Sequence, residues 1–380
     1  MKKTDLQFLQ QICEAPSPSG YEWPAAEVFR QRLADTADQI TTNVMGSVHA
    51  TLKGSSTGPK VMLAGHIDEI GMMAKYIDDN GFVYFDAIGG IDAAILPGLR
   101  VNCYATGKSS LKGQGSNSKS SAKSKNSGKT AAPTLLRGVI GRKPIHLIEA
   151  DERKNVTAIE KLFIDFGISG AEAKELIRIG DCMTFGVGFE EYGEGLAVSR
   201  GFDDKMGGWV IARVLEEVKQ AGGAKGDVVA TATVQEEIGL RGATTSAYAI
   251  DPDIGICFDV GHATDYPGIE KSRYGGGALK GGPMIARGAN INPILFERMV
   301  AAAEKAKIPY QIDTEPRGTG TDANVMQISR AGKVVGLISV PLRYMHTPTE
   351  VLALEDLENT VALVTQFILD LDDKIDWIPG

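Results

Sequence analysis

VVATATVQEEIGLRG, residues 228–242, runs from seven apolar or β-branched residues into two adjacent glutamates and then a glycine-punctuated turn. A short unbroken run of that kind suits a strand covered on both faces. A helical pattern follows over 240–249, and the same alternation recurs along the chain. Strands are predicted at 61–64, 254–258 and 334–340, and helices at 205–219, at 293–307 behind Asn292 as cap, and at 355–370. Near the start, Leu6, Leu9, Ile12 and Cys13 share one face of a helix behind Thr4, and residues 24–34 form a second. Strand-helix alternation predicts an α/β fold, a sheet covered by helices on both faces.

The stretch from about Glu69 to Val139 reads differently. Short strands and turns such as DDNG (78–81) and AIGGID (87–92) replace the helices, which predicts a small β-rich domain inserted into the α/β domain. The boundaries expected are 1–68 and 155–380 for the α/β domain and 69–154 for the insert. Within the insert, residues 106–134 carry six lysines, no acidic residue and almost no apolar side chain. That composition predicts a disordered loop, read as a solvated insertion at a hairpin tip rather than a polybasic tether.

A chain of 380 residues exceeds one compact core, and 23% charged with 43% apolar residues describes a folding polypeptide. The net charge of −8 disfavours nucleic acid as partner. No apolar run approaches the roughly 18 residues of a membrane span, and the N-terminus lacks a signal-peptide pattern. Cys13, Cys103, Cys182 and Cys257 show no paired spacing, which fits a reducing cytoplasm.

Chemistry is concentrated after the strands. His66 in VMLAGHIDEIG is followed by Asp68, which on a strand shares its face and could fix the imidazole tautomer. Asp203 and Asp204 stand between a strand and a helix, where carboxylates also serve as ordinary caps. Glu236 and Glu237 would point oppositely on an ideal strand, so both serve one site only if the chain leaves the strand there. Asp259 ends IGICFDV and His346 lies in RYMHTPTE, whereas His49, His146 and His262 are read as structural. Two histidines with Asp203, Glu237 and Asp259 form an imidazole-carboxylate set suited to Zn²⁺, Co²⁺ or Mn²⁺. Five ligands exceed one catalytic ion, so two ions sharing one carboxylate is the economical reading, with Glu236 left as general base.

The motifs GHIDEIG, GFDDKMGG, VQEEIGLRGA, FDVGHATDYPG, GTDANV and RYMHTPTEV occur in this order. Together they resemble the M42 family of metallo-aminopeptidases, which includes glutamyl aminopeptidases and self-compartmentalised tetrahedral aminopeptidases. The resemblance runs from about residue 5 to residue 370. It implies a zinc-peptidase-like mixed sheet and a PDZ-like insert contributing to homo-oligomer contacts, anywhere from dimer to dodecamer. It also implies that His66 and Asp259 complete one metal, that Glu237 and His346 complete the other, and that Asp203 bridges. Asp68 would orient His66, and Glu236 would be the base on a metal-bridging water. The choice of Asp203 over Asp204 rests on an Asp-x-Lys spacing and leaves one residue of slip. The activity implied is release of N-terminal residues from short peptides with a free N-terminus. Two other classes remain: an inactive peptide-binding scaffold, and an endoglucanase-like glycoside hydrolase built on paired acids. Arg241, Arg273, Lys280, Arg287 and Arg317 include candidates for a pocket taking an acidic side chain.

Overall fold

The run that opens the 228–242 stretch forms the strand Val228–Thr233, buried at every residue. It lies inside an eight-stranded mixed sheet of order Gln39–Thr42, Val48–Leu52, Val228–Thr233, Val61–His66, Ile254–His262, Val334–Leu342, Met284–Gly288, Gln311–Glu315. The four central strands run parallel and the flanking pairs introduce antiparallel neighbours. The computed structural model describes residues 1–108, 132–150 and 154–380.

Helices cover both faces, as two glycines demonstrate. Gly255 and Gly336 sit one register apart on paired strands and therefore face opposite sides. A Cβ on Gly255 would meet Met326 of the Asp322–Gln327 helix, and one on Gly336 would meet Leu295 of the Pro293–Ala306 helix. The Pro293–Ala306 helix starts at the expected cap, where the Asn292 side chain accepts from the N–H groups of Ile294 and Leu295. The opening helix is Lys3–Glu14, with no side-chain cap, so Thr4 lies inside it. Its Asp5 carbonyl accepts the Trp209 indole N–H at 2.9 Å, anchoring it to the Phe202–Gln220 helix. Trp209 is fully buried, and truncation of such a side chain costs about 3–5 kcal/mol.

Strand geometry opens the site. Ile254–His262 pairs with Val334–Leu342 along its whole length, but with Val61–His66 only from Ile254 to Cys257. Beyond Cys257 these two neighbours part, which makes a crevice at the carboxyl ends of parallel strands.

Chain contacts divide the molecule into two units. The α/β unit comprises Met1–Ile70, Gly89–Ile91 and Val187–Gly380, and the second comprises Gly71–Ile88 and Asp92–Gly186. The second unit is a closed barrel of order Gly71–Ile77, Val83–Ile88, Ile164–Asp165, Thr134–Ile140, Arg100–Ala105, Cys182–Phe185. Its interior is filled by Met72, Val83, Phe85, Val101, Cys103, Ile140, Ile164 and Met183. The limits therefore differ from the expected 69–154: Cys182–Phe185 pairs with both Gly71–Ile77 and Arg100–Ala105, and closure needs it. Of the Ser/Lys segment expected to be a loop, residues 109–131 lie outside the described residues. Among the described residues no helix is long and apolar enough to cross a membrane.

Candidate metal centre

The two glutamates of the opening stretch face one site because the strand stops at Thr233. Gln235 adopts a positive φ of 57°, turning the backbone before Glu236. Asp68 then secures the turn: its Oδ1 accepts the Glu236 N–H at 3.0 Å and its Oδ2 the Glu237 N–H at 3.1 Å. Ser19 Oγ donates to the same carboxylate at 2.7 Å. Asp68 thus ties the end of one strand to the end of the next.

His66 ends the strand Val61–His66 and is buried. Its Nδ1 lies 3.2 Å from the Asp68 carbonyl oxygen and 3.5 Å from the Asp68 carboxylate. A carbonyl only accepts, so Nδ1 carries the proton and Nε2 is left to face the crevice. There Nε2 is 3.2 Å from Asp203 Oδ1 and 3.7 Å from Glu236 Oε2. His346 repeats the device. Its Nδ1 donates to the Gly90 carbonyl at 2.9 Å, and its Nε2 lies 3.3 Å from Asp203 Oδ2 and 3.5 Å from Glu237 Oε2. A Cβ at Gly90 would come within 3.2 Å of the His346 ring, so glycine suits this close approach.

Asp203 and Asp204 are joined by a cis peptide at the start of the Phe202–Gln220 helix and do different things. Asp203 offers one oxygen to each imidazole. Asp204 turns inward, accepting the backbone N–H of His66 at 3.0 Å and of Gly207 at 3.1 Å.

Two groups of ligand atoms converge: His66, Asp203 and Asp259, and Asp203, Glu237 and His346, each within 4.8 Å. Asp203 is common to both. Together with Glu236 these residues line a cleft of about 480 Å³. Asp259 lies inside its strand rather than at its end, since pairing continues to His262.

The electrostatics are those of crowded, partly desolvated carboxylates. Burial, reinforced by Asp259 and Asp322, pushes the Glu236 carboxyl up to about 10 despite the His66 charge. Burial and Asp203 push Glu237 to about 8, and the same two causes push Asp259 to about 7. Against its own burial, Asp203 is held well below the carboxylate range by His346 and His66. Burial pulls His66 down, but Glu236, Asp203 and Asp68 hold it well above its ordinary value. Contact with Asp203 raises His346 to about 9. Negative charge is in excess, and Glu237 Oε1 is buried with no hydrogen-bond partner among the described residues. Divalent cations fit this donor set, because they would neutralise the carboxylates and occupy the orphaned oxygen.

All seven residues singled out in the sequence meet here. Sequence reasoning missed several others. Glu350, four residues after His346, accepts the backbone N–H of both His346 and Asp203. Asp322 is buried and accepts from Thr233 Oγ1 at 2.6 Å. Both stand in motifs that were legible, GTDANV and RYMHTPTEV, but nothing local announced their contacts. His262, read as structural, lines the cleft, whereas His49 is bonded to Ser246. None of Arg241, Arg273, Lys280, Arg287 and Arg317 lines it.

A model of the M42 glutamyl aminopeptidase family matches residues 46–135 and 115–363. Lysyl aminopeptidase of Pyrococcus furiosus is 33% identical over 374 residues, covering 97% of each chain. Among solved structures, the TET aminopeptidase of the marine sediment archaeon Thaumarchaeota archaeon SCGC AB-539-E09 matches with a TM-score of 0.86 at 30% identity, covering 97% of each chain. The TET1 peptidase of Pyrococcus horikoshii, which can assemble into a tetrahedron or a large octahedral shell, matches with a TM-score of 0.78 at 27% identity, covering 97% of this chain and 100% of its own. Family match, full-length identity and shared fold agree, and the chain belongs to the M42 family of aminopeptidases.

Proposed function

We propose that this chain is a dinuclear aminopeptidase that releases N-terminal residues from short peptides. The observation that carries this reading is the sharing of Asp203, one oxygen toward His66 and the other toward His346. His66 and Asp259 would hold one ion, Glu237 and His346 the other, and Asp203 both; Zn²⁺, Co²⁺ and Mn²⁺ all accept this donor set. When bound, such ions polarise a carbonyl and acidify water.

The chain's own residues supply the rest. Asp68 and Gly90 hold the two imidazoles in one tautomer each. Glu236 faces the cleft without an assigned ligand role, and its carboxylate takes the proton of the attacking water. As the C–O bond forms and the C–N bond breaks, the same proton passes to the nitrogen of the leaving peptide. A free α-amine, paired with a carboxylate of the cleft, sets the scissile bond at the first position.

A glycoside hydrolase would use two carboxyls and explains neither imidazole. An inactive scaffold has no use for a shared carboxylate. By likeness to the TET peptidases we also propose a homo-oligomer, from dimer to dodecamer, with contacts through the barrel unit, which the M42 resemblance describes as PDZ-like. We place the enzyme in the cytoplasm because its four cysteines are free.

The test pairs short peptides with their N-acetylated forms, using protein loaded with Zn²⁺, Co²⁺ or Mn²⁺. Stepwise release from free N-termini, lost on chelation and much slower after acetylation, is the expected result. Equal cleavage of both forms, or internal cuts at early times, would overturn the aminopeptidase reading.

A further inference from the structure

The cleft holding the paired imidazoles is also lined by Asp313 and Glu315, on the edge strand Gln311–Glu315. Two residues apart on a strand, they share a face. Register puts Ala286 and Gly288 beside them, two small residues that leave room over the carboxylates. The same register puts Arg287 opposite Thr314, on the other face, where its guanidinium lies 5.2 Å from the Phe296 ring centre. Arg287 is therefore committed elsewhere, and Arg317, the cation nearest in sequence, is exposed and does not line the cleft.

No lysine or arginine lines the cleft among the described residues. Asp313 Oδ1 accepts only the adjacent Thr314 N–H, at 2.8 Å, and neither carboxylate enters an ion pair among the described residues. Burial, with the Asp313 charge adding to it, raises the Glu315 carboxyl above its ordinary range, so an incoming cation would be welcome there. Two divalent ions would balance Asp203, Glu236, Glu237 and Asp259, which leaves Asp313 and Glu315 as uncompensated charge.

A substrate side chain entering this wall is sorted by that charge. An acidic one is repelled, and an apolar one strips water from two carboxylates without replacing it. A basic one gains two charge-assisted contacts. We propose that Asp313 and Glu315 are specificity-determining residues that select peptides with a basic N-terminal residue, lysine or arginine. The inference rests on the aminopeptidase reading of the same cleft.

The experiment compares lysyl, arginyl, norleucyl and glutamyl p-nitroanilides on the metal-loaded enzyme; norleucine keeps the lysine carbon chain without its ammonium. Lysyl and arginyl substrates should exceed the norleucyl one in kcat/KM by about tenfold or more, and Asp313→Asn with Glu315→Gln should remove most of that ratio. Should the double variant fold poorly, rising salt should lower the wild-type ratio, since part of the attraction is screened. Preference for norleucyl or glutamyl substrate, or a lysyl-to-norleucyl ratio indifferent to both the variant and salt, would overturn the proposal. If no substrate turns over, the aminopeptidase reading fails on its own. Calorimetry with L-lysine and L-norleucine then decides the wall: tighter lysine binding, weakened in the variant, supports it, and equal binding overturns it.

Discussion

Glu350 Oε2 accepts the backbone N–H of Asp203 at 3.1 Å. Its other oxygen accepts the backbone N–H of His346 at 3.0 Å, so one buried carboxyl aligns the shared carboxylate and one imidazole. Burial and the adjacent Asp203 charge hold Glu350 well above the ordinary carboxyl range. Glu350→Ala should therefore weaken metal affinity by about 10–100-fold, the usual cost of losing support behind a ligand. Titration against a competing chelator measures it. Unchanged affinity would show that the two backbone groups are held by the fold without Glu350.

Glu236→Gln keeps the shape of the side chain and removes its basicity. Turnover should fall by at least about 10²-fold while metal content stays near that of the wild type. Elemental analysis beside peptide kinetics separates these quantities. Near-normal turnover, or loss of metal, would remove Glu236 from the role of base.

The neighbouring aspartates should separate by phenotype. Asp203→Asn should lower metal occupancy and activity together, because both imidazoles lose their common partner. In Asp204→Asn one of two buried backbone N–H groups, of His66 or Gly207, loses its acceptor. That costs about 1–3 kcal/mol and should appear first as a lower Tm. Full occupancy in the Asp203 variant would transfer the bridging role to Asp204.

Metal-free protein should lose stability as pH rises. Glu236, Glu237, Asp259 and His346 are raised to about 10, 8, 7 and 9, each above its unfolded value. The folded state thus holds protons that the unfolded chain releases, and stability declines as pH climbs through these values. Asp203 is shifted the other way, and its contribution is lost only in acid. The Tm of chelator-treated protein should fall between about pH 6 and pH 9, and Zn²⁺ should flatten the fall. A rising Tm over that range would contradict the charge balance described for the site.

Local pattern was enough for much of this protein. The unbroken apolar run 228–234, the Asn292 cap and the strand-helix alternation depend on neighbours a few residues apart, and each was readable from them. The seven residues proposed for the site could be singled out because they stand in short motifs of the sequence. Contacts across long separations were not. Asp68 holds Glu236 from 168 positions away and Glu350 holds Asp203 from 147, and no periodicity encodes such pairings. Barrel closure by Cys182–Phe185 likewise depends on a strand beyond the expected boundary. Only the fold decided which aspartate faces the imidazoles, since Asp203 and Asp204 are chemically identical and differ solely in what surrounds them. The fold also turned Arg287 away from the cleft and Asp313 and Glu315 into it, because strand register, not composition, determines which side of a sheet a charge occupies.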